Sequence, residues 1–347
     1  MTERVNRQWR LAHRPTGMVN AMDFTWSEAP VPPVADGQVL VKTLYLSVDP
    51  TQRGWMAADT YLPAIAIGDV IRSLGVGQVL ESKHPGFAVG QLVQGGLGWQ
   101  DFLLSDGSGE LPLSRLPGRV GAAQIPLAMS VLGLTGITAY FGLLEVGRPQ
   151  AGETVVVSGA AGATGSVVGQ IARIKGCRTI GIAGGALKCA WLTKEAGFDA
   201  AIDYKAEKVE ERLAELCPKG IDVFFDNVGG DILDSALANL AMRGRVVLCG
   251  AIAMYNEKAP PPGPRNYLSL LVRRGRMEGF IVIDYMKRAG EAVAALSQWE
   301  REGRIKHEED IQAGLENAPA TLLRLFDGRN RGKQLLKVAD PPVPVVA

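Results

Sequence analysis

Ala160, Gly162 and Gly165 occupy the three places of a GxGxxG spacing within residues 154–176, TVVVSGAAGATGSVVGQIARIKG. A β-branched run precedes them and an apolar pattern at helical spacing follows, the strand, turn and helix that cradle a dinucleotide pyrophosphate. Small residues at these places let the backbone turn sharply, approach the phosphates and pack helix on strand. Ala163 and Thr164 fall at the start of the expected helix, where free N–H groups point at an anion. The next informative feature is an absence. An NAD site places Asp or Glu about 20 residues beyond the glycines to hold the adenine ribose. Here the strand expected over 178–183 runs into Gly184, Gly185, Ala186, Leu187 and Lys188. With no carboxylate and an ammonium in its place, charge favours a 2′-phosphate, so the expected cofactor is NADPH.

The elements that must position these residues follow from periodicity. Residues 38–104 alternate short apolar runs (39–48, 76–80, 91–94, 102–104) with Gly and Pro turns, which predicts a compact β-rich domain. From residue 154 the rhythm becomes strand and helix in alternation. Strands expected over 178–183, 200–204, 221–226, 245–250 and 277–283 join the first to make a six-stranded doubly wound sheet. The tail after about Gly303, ending GKQLLKV, is too short to fold alone and is expected to complete the β-rich domain. The predicted class is α/β, with a catalytic domain over 1–127 and 303–347 and a Rossmann domain over 128–302. The APPPGP run at 259–264 reads as a stiff surface loop.

Composition gives no support to several functions. At 347 residues and 47% hydrophobic, the chain buries a large core, and a net charge of +1 provides no field to attract nucleic acid or an anionic membrane. The uncharged stretch 121–144 is interrupted by Gln124, Pro126, Ser130, Thr135 and Thr138, and reads as buried helix and turn, not as a membrane span. The N-terminal segment is polar and lacks the apolar core of a secretory signal. Cys177, Cys189, Cys217 and Cys249 show no CxxC spacing and read as reduced cytosolic thiols, which places the protein in the cytoplasm.

Zinc chemistry also finds no ligand pattern in the N-terminal half, which has no cysteine and only the isolated His13 and His84. His84, in Ser-Lys-His-Pro-Gly, reads as a turn residue. Tyr204 to Lys208 spells YxxxK, an accident here because the glycine turn lies mid-chain rather than at the start.

At these residues the chain resembles the zinc-independent branch of the medium-chain dehydrogenase/reductase superfamily that contains prostaglandin, alkenal double-bond and curcumin reductases. LSVDPTQRGWM, GITAYFGLLEVGRPQAGETVVVSGAAGATGSVVGQIARIKG, DNVGG, CGAIAMYN, PPGPRNY, MEGFIVIDY and GRNRGKQLLKV carry the resemblance in order. It implies a GroES-like β-rich catalytic domain beside the Rossmann domain, NADPH-dependent reduction of α,β-unsaturated ketones and aldehydes, and a homodimer. It further implies that Lys188 and Tyr204 hold the 2′-phosphate and that Asn227 and Asn330 line the cofactor. Backbone segments including Cys249, Gly250, Ile252, Phe280 and Val282 would flank the nicotinamide. Arg329, Arg331 and Lys333 read as a solvated rim, and Cys249 as a small apolar filler. The chain departs from the family's DPYMR at Thr51 and Gln52, and from its usual proline at Thr135.

Reducing an enone pushes charge onto its carbonyl oxygen, which needs a donor placed where that charge develops. A phenol is neutral at pH 7 and can donate. Tyr255, after the fifth expected strand, and Tyr61, matching a pocket tyrosine of the family, are the expected catalytic donors; together with the cofactor ribose hydroxyl they orient the carbonyl, and solvent supplies the α-proton. A quinone reductase would share the cofactor site and differ in its pocket, and a non-catalytic NADPH-binding protein would bind without turning over. The strand over 277–283 is apolar enough to pair across a dimer axis, and an internal strand would read alike.

Overall fold

The computed structural model describes residues 4–116, 120–259 and 261–346. Residues 1–3 of the polar N-terminal segment, Pro260 of the surface loop, and residues 117–119 and 347 of the expected catalytic domain lie outside them.

The chain begins with an antiparallel pair, β1 (Val5–Leu11) and β2 (Phe24–Pro30). This pair replaces the polar segment expected there. The alternation of Trp9 and Leu11 with Arg and Gln is a half-buried strand whose polar face uses long side chains. Trp9 meets Trp26 and Phe24 edge-on, with ring centres 5.1 and 6.3 Å apart.

Then follow β3 (Val39–Ser47), the short helix α1 (Thr51–Ala57), β4 (Leu74–Ser82), β5 (Leu92–Gly96), β6 (Phe102–Ser105) and β7 (Ser114–Arg115). Helices α2 (Ile125–Met129) and α3 (Leu134–Phe141) lead into a π-helical turn over Gly142–Gly147. The apolar stretch is thus broken at residues 130–133, and Ile125, Val131, Ile137, Phe141, Leu143 and Val146 are buried in the protein.

The alternating half runs β8 (Thr154–Ser158), α4 (Ala163–Ile174), β9 (Arg178–Ala183), α5 (Ala186–Lys194), β10 (Ala200–Asp203), α6 (Val209–Leu216), β11 (Ile221–Asp226), α7 (Gly230–Ala238), β12 (Leu240–Leu248), α8 (Leu268–Arg273), β13 (Arg276–Gly279) and α9 (Ala289–Arg301). The tail supplies β14 (Glu309–Ala313), α10 (Ala318–Phe326) and β15 (Lys333–Lys337).

Two large sheets result. One has six parallel strands in the order β10-β9-β8-β11-β12-β13, the doubly wound order that reverses between β8 and β11. Its central strands are continuous Val, Ile and Phe runs because helices cover both faces. The other sheet orders β14-β15-β3-β4-β5-β7, with β6 also on β3. The tail therefore returns to the first half of the chain, where Leu315, Leu322 and Leu336 join Val41, Leu46 and Trp99 in one core.

Three expected strands end early, β10 by the single residue Tyr204 and β12 and β13 by more. Strand β12 stops at Leu248 because the N–H groups of Cys249 and Gly250 both turn back onto Asp226 O, at 2.9 and 3.1 Å. Strand β13 stops at Gly279, not at residue 283. The Phe280 ring instead packs against Gly142, where an added Cβ would lie 2.3 Å from it, and Val282–Arg288 forms a 3-10 helix.

Candidate active site

The site is built from turns at the C-terminal ends of β8, β11 and β12, beside the point where the strand order reverses. In the first turn, α4 starts at Ala163 with Gly162 as an N-cap that makes no side-chain bond. The N–H groups of Ala163, Thr164 and Gly165 consequently face outward from the helix start. Gly165 cannot carry a side chain, since a Cβ would sit 2.4 Å from Gly159 O. Ala160 in the first glycine place is accommodated because its methyl points back into the sheet. Its N–H donates to Ile182 O at 3.0 Å, and its Cβ lies against Gly181, where another Cβ would approach it to 2.9 Å.

The second turn is anchored by Asp226, the acid of DNVGG, which is not among the site residues expected from the sequence. Its buried carboxylate accepts from Ser158 Oγ (2.7 Å), Val228 N (3.0 Å) and Gly229 N (3.0 Å), while burial raises its pKa. Asn227 donates from N to Ser158 Oγ at 2.8 Å and from Nδ2 to Ser158 O at 2.7 Å, leaving its side-chain oxygen to accept. The third turn is sewn onto the second: Ile252 N donates to Asn227 O (3.3 Å) and Ala253 N to Val228 O (3.1 Å).

Tyr255 is half-buried at the end of this third turn. Its hydroxyl accepts from Ala251 N at 3.2 Å, and burial, with Cys249 and Tyr61 nearby, holds its pKa above 10. The phenol proton finds no protein acceptor among the described residues, so the Tyr255 hydroxyl is left able to donate. Tyr61 comes from the other domain, and its hydroxyl lies 3.0 Å from Thr51 Oγ1. Burial raises its pKa too, with Cys249 and Asp49 adding to the shift. The Cys249 thiol is pushed up to about 12 by burial and by Asp226. Three side chains from two segments therefore converge, Cys249 and Tyr255 from the turn after β12 and Tyr61 from the loop after α1.

A fourth segment closes the site from the β-rich side. Gly332 N donates to Ala161 O at 3.0 Å and pairs with Gly162, so the C-terminal loop sits on the glycine turn. Asn330 Nδ2 donates to Gly332 O at 3.2 Å within that loop. At its other end Lys188 Nζ donates to Gly328 O at 2.8 Å, and burial and the nearby Lys205 lower its pKa. Lys205, a second cation at this corner, was missed in the sequence, where only its neighbour Tyr204 was singled out. The Tyr204 ring covers Gly184, where a Cβ would meet its hydroxyl at 2.8 Å. Two like charges held close suit a phosphate between them.

The cationic rim needs correction. Arg329 and Arg331 are exposed and pair with Asp327 and Glu308. Lys333 is 2% exposed and paired with Asp49, because its strand carries it into the core. Phe280 and Val282 present their side chains to the Rossmann core. His84 accepts from Gly86 N at 2.8 Å, as a turn residue does.

Comparison with known proteins bears on this site. The model for the N-terminal domain of oxidoreductases matches residues 7–113, and that for zinc-binding dehydrogenases matches residues 163–298. The NADPH-dependent curcumin reductase of Escherichia coli (strain K12) is 42% identical, covering 96% of this chain and 97% of that protein. The chain belongs to this reductase branch of the medium-chain dehydrogenases. The NADP(+)-dependent 2-alkenal reductase of Nicotiana tabacum is 38% identical over 98% and 99% of the two chains. Among solved structures, CurA from Vibrio vulnificus in complex with NADPH superposes with a TM-score of 0.91 at 41% identity, over 96% and 100%. Although one matching model is named for zinc, no three His, Cys, Asp or Glu side chains among the described residues gather as a metal site.

The cofactor corner makes a first prediction. Replacing Lys188 with Ala should lower the ratio of kcat/KM for NADPH over NADH by about 10- to 100-fold, the worth of one charge-assisted phosphate contact. Steady-state kinetics with both cofactors will show it, and an unchanged ratio removes Lys188 from the 2′-phosphate site.

Proposed function

We propose that this chain reduces the carbon–carbon double bond of α,β-unsaturated ketones and aldehydes with NADPH. The observation that carries the reading is the Tyr255 hydroxyl, which accepts from Ala251 N–H and, among the described residues, has no protein acceptor for its proton, beside Cys249 and Tyr61. The residues present fit the cofactor: the Gly159–Gly165 cradle that a Cβ would fill, the open start of α4, and the Lys188–Lys205 corner. When bound, NADPH supplies the hydride equivalent for the β-carbon of the substrate. Ala163, Thr164 and Gly165 would hold the pyrophosphate through backbone N–H groups, Lys188 and Tyr204 would hold the 2′-phosphate, and Asn227 and Asn330 would line the cofactor. The backbone of the segments that include Cys249, Gly250, Ile252, Phe280 and Val282 would flank the nicotinamide. Tyr255 and Tyr61 orient the carbonyl and donate to its oxygen as charge develops there, and solvent provides the α-proton. The relatives' names, curcumin reductase and 2-alkenal reductase, support the substrate class.

Following NADPH oxidation against enones, quinones and alcohols, with and without a chelator, tests this reading. Turnover of quinones alone would move the assignment to a quinone reductase. Activity lost on chelation would contradict a metal-free site.

The thiols fit an enzyme that handles thiol-reactive electrophiles. Burial pushes Cys177, Cys189 and Cys217 each up to about 11, and Cys249 to about 12. Reactivity belongs to the thiolate. At pH 7.5 the folded protein should stay unmodified by N-ethylmaleimide in intact-mass measurements, and take up four adducts once unfolded in guanidinium. The same shifts carry a sign for stability. Thiols of the unfolded chain ionise near 9.0 and the folded ones later, so above about pH 9 the unfolded state binds fewer protons and stability falls. All four are free, which suits a reducing cytoplasm.

The proposed assembly is a homodimer through the β13 edge. No strand pairs with the outer side of β13 among the described residues. Tyr267, Leu268, Leu271 and Val272 of the neighbouring α8 segment are exposed, as are Ile283 and Met286. Light scattering is expected to give twice the 37.0 kDa chain mass for the wild type and a shift toward monomer for Leu271→Glu. A monomeric wild type overturns it.

A further inference from the structure

Lys333 is the one fully buried cation among the largest buried side chains, and it lies next to Gly332, the residue that touches the glycine turn. Removing an ammonium from water costs several kcal/mol, and a buried pair often adds no stability over apolar residues of equal size. Leu335 and Leu336 show that the same strand readily buries apolar side chains. The pair therefore calls for a role in geometry.

Its connections supply one. Lys333 Nζ donates to Asp49 Oδ1 at 2.5 Å. The other carboxylate oxygen of Asp49 accepts from Ser47 Oγ. Asp49 N donates to Gln52 Oε1 at 3.1 Å, fixing the start of α1, and Thr51 on that helix meets the Tyr61 hydroxyl. In the other direction, Lys333 N donates to Glu308 O at 2.8 Å, and Gly332 N to Ala161 O. At Gly332 φ is +67°, and a Cβ would lie 1.9 Å from Glu308 O, so this junction has no slack. An unbroken path of covalent and hydrogen bonds thus runs from the cofactor turn, through Gly332, Lys333 and Asp49, to Tyr61.

We propose that Lys333 and Asp49 are positioning residues that fix the spacing between the cofactor turn and the Tyr61 wall of the substrate pocket, a role that rests on the reductase reading above. Neither touches the substrate. Their contribution is made within the β-rich domain: they fix the Gly332 loop, which touches the cofactor turn, relative to the α1–Tyr61 wall, and so set the distance between donor carbon and acceptor carbon, on which transfer depends steeply.

The test separates geometry from charge. Lys333→Met and Asp49→Asn each break the pair, and the double variant Asp49→Leu/Lys333→Met replaces it by apolar groups that leave no buried charge. Thermal melting, NADPH binding by fluorescence titration and single-turnover oxidation of bound NADPH by stopped flow are measured on each, with whichever acceptor the wild type turns over fastest. The double variant should melt at or above the wild-type temperature, bind NADPH within threefold of wild type, and transfer at least tenfold more slowly. Lys333→Met should transfer at least as slowly and melt lower. A double variant that transfers at the wild-type rate overturns the proposal, as does one whose whole loss lies in NADPH affinity. A wild type inert toward enones overturns the reductase reading in its own assay, before any variant is compared.

Discussion

Gly165→Val should weaken NADPH binding by at least about 100-fold while the protein remains folded. The added Cβ would stand 2.4 Å from Gly159 O and 2.9 Å from Ala160 Cα, both backbone atoms of the same tight turn. Neither can swing away as a side chain can, so the turn itself must open. Overpacking of this kind costs typically 1–3 kcal/mol, and tilting the first turn of α4 spoils phosphate bonds worth about 1.5–3 kcal/mol each. Together these exceed the roughly 2.7 kcal/mol that a 100-fold change represents. Titration calorimetry gives the dissociation constant directly. Ala160→Gly is the control: its methyl faces Gly181 within the sheet and not the phosphates, so NADPH affinity should change by less than about threefold. If Gly165→Val binds NADPH as the wild type does, the cofactor lies elsewhere and the assignment of this turn fails.

The contrast between Gly165 and Ala160 also shows what the sequence could convey. The glycine turn, β9 and β11 are local: β-branched runs bounded by turn residues predict them, and β9 and β11 match residue for residue. The ends of β12 and β13 are not local. They are set by Cys249 and Gly250 turning onto Asp226 and by Phe280 packing on Gly142, contacts with residues far along the chain. The β1–β2 pair was hidden because its exposed face carries long polar side chains, which makes an alternating strand look like a polar tail. Lys333 was misplaced for a related reason. A cation in GRNRGK reads as surface unless one knows that Asp49, from the first half of the chain, waits inside. Asp226 had a sequence signal, an acid at the end of an apolar strand followed by two glycines, because an acid there can accept the N–H groups of the turn that the glycines permit. Lys205 had none beyond adjacency to Tyr204.

Tyr255→Phe should lower kcat for enones by about 100-fold, the loss typical of removing one donor to a developing oxyanion, with NADPH affinity unchanged. The ring itself stays, so packing against the turn is preserved. Only the hydroxyl goes, and with it the acceptor for Ala251 N–H, which faces the pocket where water can replace it. Tyr61→Phe should cost less, because the Tyr61 hydroxyl already shares a hydrogen bond with Thr51 and is the more exposed of the two, at 44% for the whole residue. The pH profile adds an independent check. Burial raises both phenols above their ordinary value of 10.0, so the donor stays protonated and kcat should be flat on the alkaline side through pH 9 and beyond. A profile that falls near pH 7 points to a different acid. A Tyr255→Phe enzyme with wild-type kcat means that the carbonyl is held by something other than this phenol, and that the ring serves only to line the pocket.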